Sequence, residues 1–272
     1  MAENPYQYLF IYEIAGEITL GPPLDLKNYL GCWREGECSY LFFTNKMDTA
    51  IKAFLGEGQS ERYLSETVIN YEDWEAGYPL QPRSIAGFYL CPTWEPEHAG
   101  PGEHLIWIDP GVAFGSGFHP TTKMCLELIN EVYGREDLPQ VLDLGTGTGI
   151  LALACVARGA RQVLAVDHNN LAIGTAIKNV QYNRQEHCIN LICDDVLKYC
   201  GRPADLVLAN IYYGVLRDLL EQHSFLNKKW YIFSGLMGTE VDKLQAQMEP
   251  LSLKPEKILD DNFWFAVLAR HL

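Results

Sequence analysis

The chain is organised around one stretch, Val141-Leu142-Asp143-Leu144-Gly145-Thr146-Gly147-Thr148-Gly149, in which an apolar run gives way to alternating glycines. The apolar residues 150–157 follow directly, so the segment predicts a buried strand, a tight turn and the start of a helix. Glycine suits such a turn because a side chain would hold a bound ligand away from the backbone, and because the turn needs positive φ. The stretch therefore predicts a ligand-binding turn between a strand and a helix.

The spacing of the glycines distinguishes two classes of cofactor. A dinucleotide turn, G-x-G-x-x-G, begun at Gly145 would need its third glycine where Ile150 stands. The pattern present is D-x-G-x-G-x-G, which S-adenosylmethionine (AdoMet) enzymes commonly show. We expect AdoMet to lie against Gly145 and Gly147, with the carboxylate of Asp143 beside it. Taken alone, the turn is also compatible with an ordinary connection between a strand and a helix.

Strand and helix patterns alternate after this turn. After the strand that leads into the turn, strands are predicted at 162–166, 189–193 and 204–209, with a helix at 171–183, and two consecutive strands follow at 251–259 and 263–269. The alternation indicates an α/β fold with a doubly wound sheet, and the final pair indicates an antiparallel hairpin that closes it. Ligands of such sheets bind beyond the carboxyl ends of the strands.

Polar side chains stand where three of the predicted strands end. Asp167 lies about 20 positions after Gly145, and its two oxygens match the two hydroxyls of a ribose. Asp194 and its neighbour Asp195 follow the third strand, and one of them either binds the exocyclic amine of an adenine or is solvated loop charge. Asn210 ends the fourth strand, where its amide suits an amine nucleophile or the methionine part of AdoMet.

A second informative stretch is residues 109–122, the 109–122 loop, which contains three glycines and two prolines. A loop with such conformational demands is seldom only a spacer. We expect it to act as a lid, with Thr121, Thr122 and the N-terminus of the following helix directed at the ligand. His119 is a candidate general base, but its adjacent proline and the lack of spaced acidic partners favour a structural role.

The composition narrows the choice of partner and compartment. Asp and Glu number 35 against 21 Lys and Arg, which gives a formal charge of -14. An acidic surface repels phosphate backbones, so a basic protein or cationic group is a better expected partner than nucleic acid, although the charge can also serve solubility alone. The chain has neither an apolar run of roughly 20 residues nor the basic start of a signal peptide, which predicts a cytoplasmic protein with no membrane contact.

The eight cysteines form no C-x-x-C pair, and no His, Asp or Glu residues show metal-ligand spacing. We therefore expect reduced thiols and no metal site.

Residues 1–72 predict a small α+β domain for substrate recognition. Residues 73–104 are rich in proline, which disfavours helices and central strands, so they predict a connecting segment. Residues 105–272 are predicted to form the domain that binds AdoMet.

These motifs together resemble one family. The 109–122 loop reads D-P-G-x-A-F-G-x-G-x-H-P-T-T, and it is followed by the D-x-G-x-G-x-G turn, Asp167, and Asn210-Ile211 before Gly214. In this combination the chain resembles the PrmA family, the methyltransferases of ribosomal protein L11. The likeness extends from about residue 71 to the C-terminus, and the loop is its most specific part.

The resemblance implies a class I, Rossmann-like methyltransferase fold with a seven-stranded doubly wound sheet. It also implies that Thr122, Gly145, Asp167 and Asn210 contact AdoMet, and that the N-terminal module holds the ribosomal protein. The chain departs from the family pattern at residues 212–215, where it lacks the proline that usually follows the glycine, and in its shortened N-terminal module.

We therefore expect an AdoMet-dependent N-methyltransferase that modifies lysine or α-amino groups of ribosomal protein L11 or a similar protein. Methyl transfer needs an aligned, neutral amine, which we expect Asn210 to position between walls formed by Phe114, Tyr212 and Tyr213. Three alternatives remain at this stage. One is methylation of another protein or a small amine. A second is an NAD-linked oxidoreductase, which the missing third glycine disfavours. The third is a non-catalytic AdoMet-binding module, which the altered segment after Asn210 would suit.

Overall fold

A computed structural model describes residues 4–21, 26–74 and 80–272. The chain divides into two compact units, Met1–Leu80 and Gln81–Leu272. The first three residues, which bear on the expected lack of a signal peptide, and residues 75–79 of the predicted connection lie outside the described residues.

The first unit is an antiparallel sheet of order β2-β3-β1-β4 with one helix against it. Its strands are β1 (Tyr8–Ala15), β2 (Tyr29–Glu35), β3 (Cys38–Phe43) and β4 (Tyr63–Asn70), and its helices are α1 (Asp48–Leu55) and α2 (Tyr71–Trp74). Alternate residues of β1 and β3, including Tyr12 and Phe43, are fully buried in one apolar cluster with Ile51 of α1. The hydrophobic core of this unit therefore lies on one face of the sheet.

The second unit contains a small three-stranded sheet and the large sheet. The small sheet comprises β5 (Arg83–Ile85), β6 (Phe88–Pro92) and β7 (His104–Ile108). The strands of the large sheet are β8 (Gln140–Leu144), β9 (Gln162–Asp167), β10 (Ile189–Cys193), β11 (Leu206–Asn210), β12 (Trp230–Met237), β13 (Leu253–Asp261) and β14 (Trp264–His271). The helices are α3 (Pro120–Arg135), α4 (Ile150–Ala157), α5 (Asn170–Tyr182), α6 (Tyr213–Leu220) and α7 (Gly238–Met248).

The large sheet confirms the predicted seven-stranded α/β architecture. Its order is β10-β9-β8-β11-β12-β14-β13, in which the first five strands run parallel and β14 pairs antiparallel with both β12 and β13. The predicted C-terminal hairpin is the β13–β14 pair. The order reverses between β8 and β11, so the crevice beyond the carboxyl ends of these two strands is the expected ligand site.

Apolar residues on both faces of the large sheet explain why helices cover it on two sides. Val141 of β8 faces one core with α3 and α4, while its neighbour Leu142 faces a second core with α6 and α7. Successive residues of a strand point to opposite faces, and strands buried on both faces form nearly continuous apolar runs. This pattern accounts for the apolar runs that the sequence shows before each strand end.

The proline-rich segment contains regular structure that the sequence did not predict. Strands β5 and β6 pair within it, and every residue of β6 is buried. Its described prolines lie outside the strands, apart from Pro92, which is the last residue of β6. Proline is tolerated at a strand end because the ladder loses no internal donor there. Within the described residues, no helix combines the length and apolar character needed to cross a bilayer.

Candidate functional site

The glycine turn after β8 has the backbone that the sequence predicted. Gly145, Gly147 and Gly149 have φ of +81°, +55° and +83°, a region that side chains rarely adopt. A Cβ atom at Gly145 would overlap Cγ2 of Ile211, and one at Gly147 would overlap the carbonyl oxygen of Phe114. Glycine is therefore required here for both backbone conformation and close packing.

Asp167 holds the turn from the end of β9. Its Oδ2 accepts the N–H of Gly147 at 3.0 Å, and its Oδ1 accepts the N–H of Asn169 at 2.9 Å. Each oxygen keeps a second lone pair, so the carboxylate is fixed in place and can still accept two hydroxyl donors. This geometry fits the predicted contact with a ribose.

Asp143 lies beneath the turn and is almost fully buried. Its Oδ2 accepts the hydroxyl of Thr146 at 2.6 Å. Burial, with a smaller effect of the charge of Asp167, raises the pKa of Asp143 to about 7, and the bond from Thr146 opposes the rise. A cation bound nearby would favour the ionised form, which suits the ammonium group of AdoMet.

The raised pKa of Asp143 makes stability depend on pH. Because its pKa of about 7 in the folded state exceeds the ordinary 3.8, the folded protein retains a proton that the unfolded chain releases. This stabilisation is fully present below 3.8 and is lost as the pH rises through about 7. We expect the Tm of the ligand-free protein to fall from about pH 5 to about pH 8 more steeply than that of Asp143→Asn. Thermal unfolding at several pH values measures the difference.

Asp137→Asn is the matched control for this measurement. Asp137 is exposed and forms a surface ion pair with Arg161, so its removal should leave the pH dependence of the native protein unchanged. Equal slopes for the native protein and Asp143→Asn would contradict the assignment.

Three of the predicted residues, His119, Thr121 and Thr122, stand at the N-terminus of α3 and have different roles there. Nδ1 of His119 accepts the N–H of Thr121 at 3.3 Å and lies 2.8 Å from the hydroxyl of Thr121. An Nδ1 that accepts a backbone N–H leaves the ring proton on Nε2, and burial lowers the pKa of His119. His119 is thus a helix cap whose lone pair is already used, which argues against a general base.

Thr122 differs from Thr121 in the hydrogen bonding of its hydroxyl. Oγ1 of Thr122 is buried and has no hydrogen-bond partner in the part of the chain that the structure describes. A buried hydroxyl without a partner costs about 1–3 kcal/mol, so such a group is expected to serve a ligand. Among the two predicted threonines, Thr122 is therefore the better candidate for AdoMet contact. The unpartnered hydroxyl, the glycine cradle and the open lone pairs of Asp167 together fit this cofactor.

Asn210 lies at the carboxyl end of β11, next to the crevice. It is half-buried and is paired in register with Ser234 of β12, while its neighbour Ala209 is paired with Leu144 of β8. Ile211 then packs against Gly145 and leaves no room for a side chain at Gly235. Asn210 therefore ends β11 at the same edge of the sheet as the glycine turn that follows β8.

Exposed aromatic side chains lie in the 109–122 loop and shortly after Asn210. The exposed fractions of Phe114 and Tyr212 are 54% and 85%, so two of the three predicted walls present their rings to solvent. The third, Tyr213, instead donates its hydroxyl to Gln247 of α7 at 3.0 Å. The ring of His119 connects Phe114, at 5.1 Å between centroids, to Trp264 of β14, at 4.8 Å. Phe114, His119 and Trp264 thus form a continuous aromatic row.

Asp194 lies beside Asp167 but its carboxylate is already engaged. Its N–H donates to the carbonyl of Asp167, while its oxygens accept Lys198 Nζ at 2.6 Å and the hydroxyl of Tyr199 at 3.2 Å. Lys198 holds the pKa of Asp194 below its ordinary value. Oδ1 of Asp195 caps the following turn by accepting the N–H of Leu197. Binding of an adenine amine by Asp194 stays a prediction. It would require the carboxylate of Asp194 to accept the amine and Lys198 together.

Three further residues shape the site and were not singled out from the sequence: Thr148, Asn179 and Trp264. Thr148 stood within the quoted turn, and Asn179 interrupts the apolar face of a helix, where asparagine is unfavourable. The interruption could therefore have indicated Asn179 from the sequence alone. Nothing local to Trp264 indicated its place, because the β13–β14 hairpin brings it to the site from the end of the chain. Within the described residues, no cluster of His, Cys, Asp or Glu could hold a metal ion.

Comparison with known proteins gives consistent matches. The family model described as "Ribosomal protein L11 methyltransferase (PrmA)" matches residues 30–271, which begins earlier than the likeness from about residue 71 that the motifs indicated. The ribosomal protein L11 methyltransferase of Heliobacterium modesticaldum is 32% identical over 246 residues, covering 85% of this chain and 77% of that protein. The corresponding Staphylococcus aureus protein is 35% identical over 215 residues, covering 76% and 68%.

A solved structure is similar as well. The crystal structure of ribosomal protein L11 methylase from Lactobacillus delbrueckii subsp. bulgaricus superposes with a TM-score of 0.62 at 28% identity. The superposition covers 70% of this chain and 98% of that one.

Proposed function

Because this chain belongs to the ribosomal protein L11 methyltransferase family and is an AdoMet-dependent methyltransferase, we propose that its acceptor is ribosomal protein L11, modified on lysine or α-amino groups. The observation that carries the proposal is the family match over residues 30–271 combined with an intact glycine cradle. The family also removes the basis for the NAD-linked alternative.

The chemistry places few demands on the protein. Bound AdoMet supplies a methyl group already activated by its sulfonium. The acceptor nitrogen forms the new C–N bond as the C–S bond breaks, the bonding pair leaves with sulfur, and the nitrogen then loses a proton. Aligning these atoms can supply roughly 7–11 kcal/mol. In our proposal Asn210 orients the amine, and Phe114 and Tyr212 confine it.

The amine must be neutral before it reacts. A free lysine has a pKa near ~10.4 and an α-amine near ~8. Apolar walls lower the pKa of an amine by desolvation, which releases the lone pair without a dedicated base. The aromatic row supports this explanation, because His119, its one histidine, already uses its Nδ1 lone pair as a helix cap.

Charge supports a basic protein partner. The segment 1–80 carries thirteen Asp and Glu against five Lys and Arg, so the acidity extends to the N-terminal unit. Ribosomal proteins are selected to neutralise RNA phosphate, and a basic surface would be attracted to this unit. We propose that residues 1–72 recognise the acceptor, that residues 105–272 carry the transfer, and that the protein acts in the cytoplasm without direct contact with nucleic acid.

The acceptor can be identified directly. We expect purified protein incubated with methyl-labelled AdoMet and a mixture of large-subunit ribosomal proteins to place label on L11 alone. A panel of small amines and an unrelated basic protein serve as controls for charge. Label on the unrelated protein or on a small amine would show that this molecule, and not L11, is the acceptor. AdoMet binding without transfer to any of them would favour the non-catalytic alternative.

A further inference from the structure

The 109–122 loop is fastened to the glycine turn by one buried residue, Thr148. Its N–H donates to the carbonyl of Phe114 at 3.0 Å, and its hydroxyl donates to the carbonyl of Gly115 at 2.7 Å. Two consecutive carbonyls of the loop are therefore held by a single residue of the turn. Because Thr148 is fully buried, water cannot readily replace either bond.

The two backbones also touch at this point. Gly115 has φ of +111°, and a Cβ atom there would lie 2.7 Å from Oγ1 of Thr148. On the other side, a Cβ atom at Gly147 would overlap the carbonyl oxygen of Phe114. Loop and turn are thus packed against each other with no side chain between them.

Asn179 of α5 adds a second connection. This fully buried amide accepts the N–H of Asp109 at 2.8 Å through Oδ1 and donates Nδ2 to the carbonyl of Thr148 at 2.9 Å. The side chain of Asn179 therefore binds both Asp109, the first residue of the loop, and Thr148, which binds the middle of the loop. The N–H, hydroxyl and carbonyl of Thr148 are all used in this network.

The structure differs here from the lid that the sequence suggested. A lid needs a hinge and an exposed contact, whereas this loop is joined to the turn by buried hydrogen bonds. The half-exposed ring of Phe114 is carried by the peptide that Thr148 holds. A displacement of that peptide would move the wall of the acceptor site relative to the cofactor turn.

We propose that Thr148 and Asn179 are positioning residues that fix Phe114 against the glycine turn, so that one hydrogen-bond network sets the acceptor wall and the cofactor cradle together. The inference rests on the proposed function, since Phe114 matters as a wall only if the site receives an acceptor. Neither residue is required to touch the cofactor or the acceptor.

Thr148→Val removes only the hydroxyl, and Thr148→Ser retains it. We expect Thr148→Val to lower kcat about tenfold, because small misplacements at reacting centres have large effects on rate, with KM for AdoMet changed less than about threefold. Thr148→Ser should restore kcat to within about twofold of the native value. Native kcat in Thr148→Val would overturn the proposal, as would an equal loss in the two variants.

Asn183 provides a matched control for Asn179. It lies one helical turn further on, accepts the N–H of Trp107 at 2.9 Å and donates to its carbonyl at 2.7 Å, but it has no bond to the glycine turn. Asn179→Asp should lower the Tm more than Asn183→Asp, because Asn179 is fully buried and Asn183 is half-buried. At a temperature where both variants are folded, only Asn179→Asp should lower kcat. A purely structural role for Asn179 predicts that kcat of the folded protein is native in both variants.

Amide hydrogen exchange tests the network without any acceptor. With S-adenosylhomocysteine bound, residues 111–118 should exchange at least about tenfold faster in Thr148→Val and Asn179→Asp than in the native protein or Asn183→Asp. Unchanged exchange in both variants would overturn the inference. If the native protein binds this product yet methylates no acceptor, the proposed function fails while the exchange measurement still decides whether Thr148 and Asn179 hold the loop.

Discussion

Gly147→Ala should abolish detectable AdoMet binding, with an expected loss in affinity of at least about 100-fold. Gly147 has φ of +55°, which costs a side-chain-bearing residue about 1–2 kcal/mol. The new Cβ atom would also overlap the carbonyl oxygen of Phe114, and overpacking of this kind adds about 1–3 kcal/mol. A shift of the turn that relieves the overlap would also disturb the hydrogen bond from the N–H of Gly147 to Asp167. Calorimetric titration with AdoMet measures the loss.

Gly174→Ala controls for the substitution itself. Gly174 lies in α5 without positive φ, and a Cβ atom there would meet nothing within 4 Å. Alanine should therefore leave AdoMet affinity unchanged and raise the free energy of unfolding by about 0.5–1 kcal/mol. Native affinity in Gly147→Ala would show that the cofactor does not lie against this turn.

Asn210→Ala should lower kcat by about 100-fold to 1000-fold, the range found when one oriented polar group at a reacting centre is removed. Asn210 ends β11 at the same edge of the sheet as the glycine turn, and in our proposal its amide holds the acceptor nitrogen in line with the departing sulfur. Since the glycine cradle and the predicted ribose contact of Asp167 are left intact, affinity for AdoMet should fall by less than about tenfold. Steady-state kinetics with the identified acceptor, together with calorimetry, separates the two quantities.

Asn190→Ala is the comparison for that variant. Asn190 is an exposed asparagine on the edge strand β10, which β9 and β8 separate from β11, so its loss should change neither kcat nor affinity. A native kcat in Asn210→Ala would remove Asn210 from the catalytic site. A parallel loss of affinity and kcat would restrict it to cofactor binding.

The large sheet could be predicted because its signals are local. Each strand is a short apolar run, and each crossover helix has its own apolar periodicity, so the alternation of the two identifies a doubly wound sheet. The strands β5 and β6 could not be predicted in this way. Their prolines resemble those of a linker in sequence, and only the placement of Pro92 at a strand end shows that the ladder is undisturbed.

The residues of the candidate site likewise include some that could be predicted from the sequence and some that could not. Gly145, Gly147 and Asp167 are predictable because backbone conformation and strand-end position require particular residue types at fixed spacings. Distinguishing Thr122 from Thr121 needed the hydrogen bonds of His119, since both hydroxyls stand at the same helix start. The contribution of Trp264 depends on strand pairing over a long sequence separation, which leaves no trace near the residue itself.

The most direct test of this account is mass spectrometry of ribosomal protein L11 after incubation with AdoMet and either the native protein or Asn210→Ala. The account predicts that the native protein adds whole methyl groups to lysine or α-amino nitrogens of L11, and that the variant adds almost none while still binding AdoMet. An unmodified L11 with the native protein, under conditions in which AdoMet is bound, would contradict it.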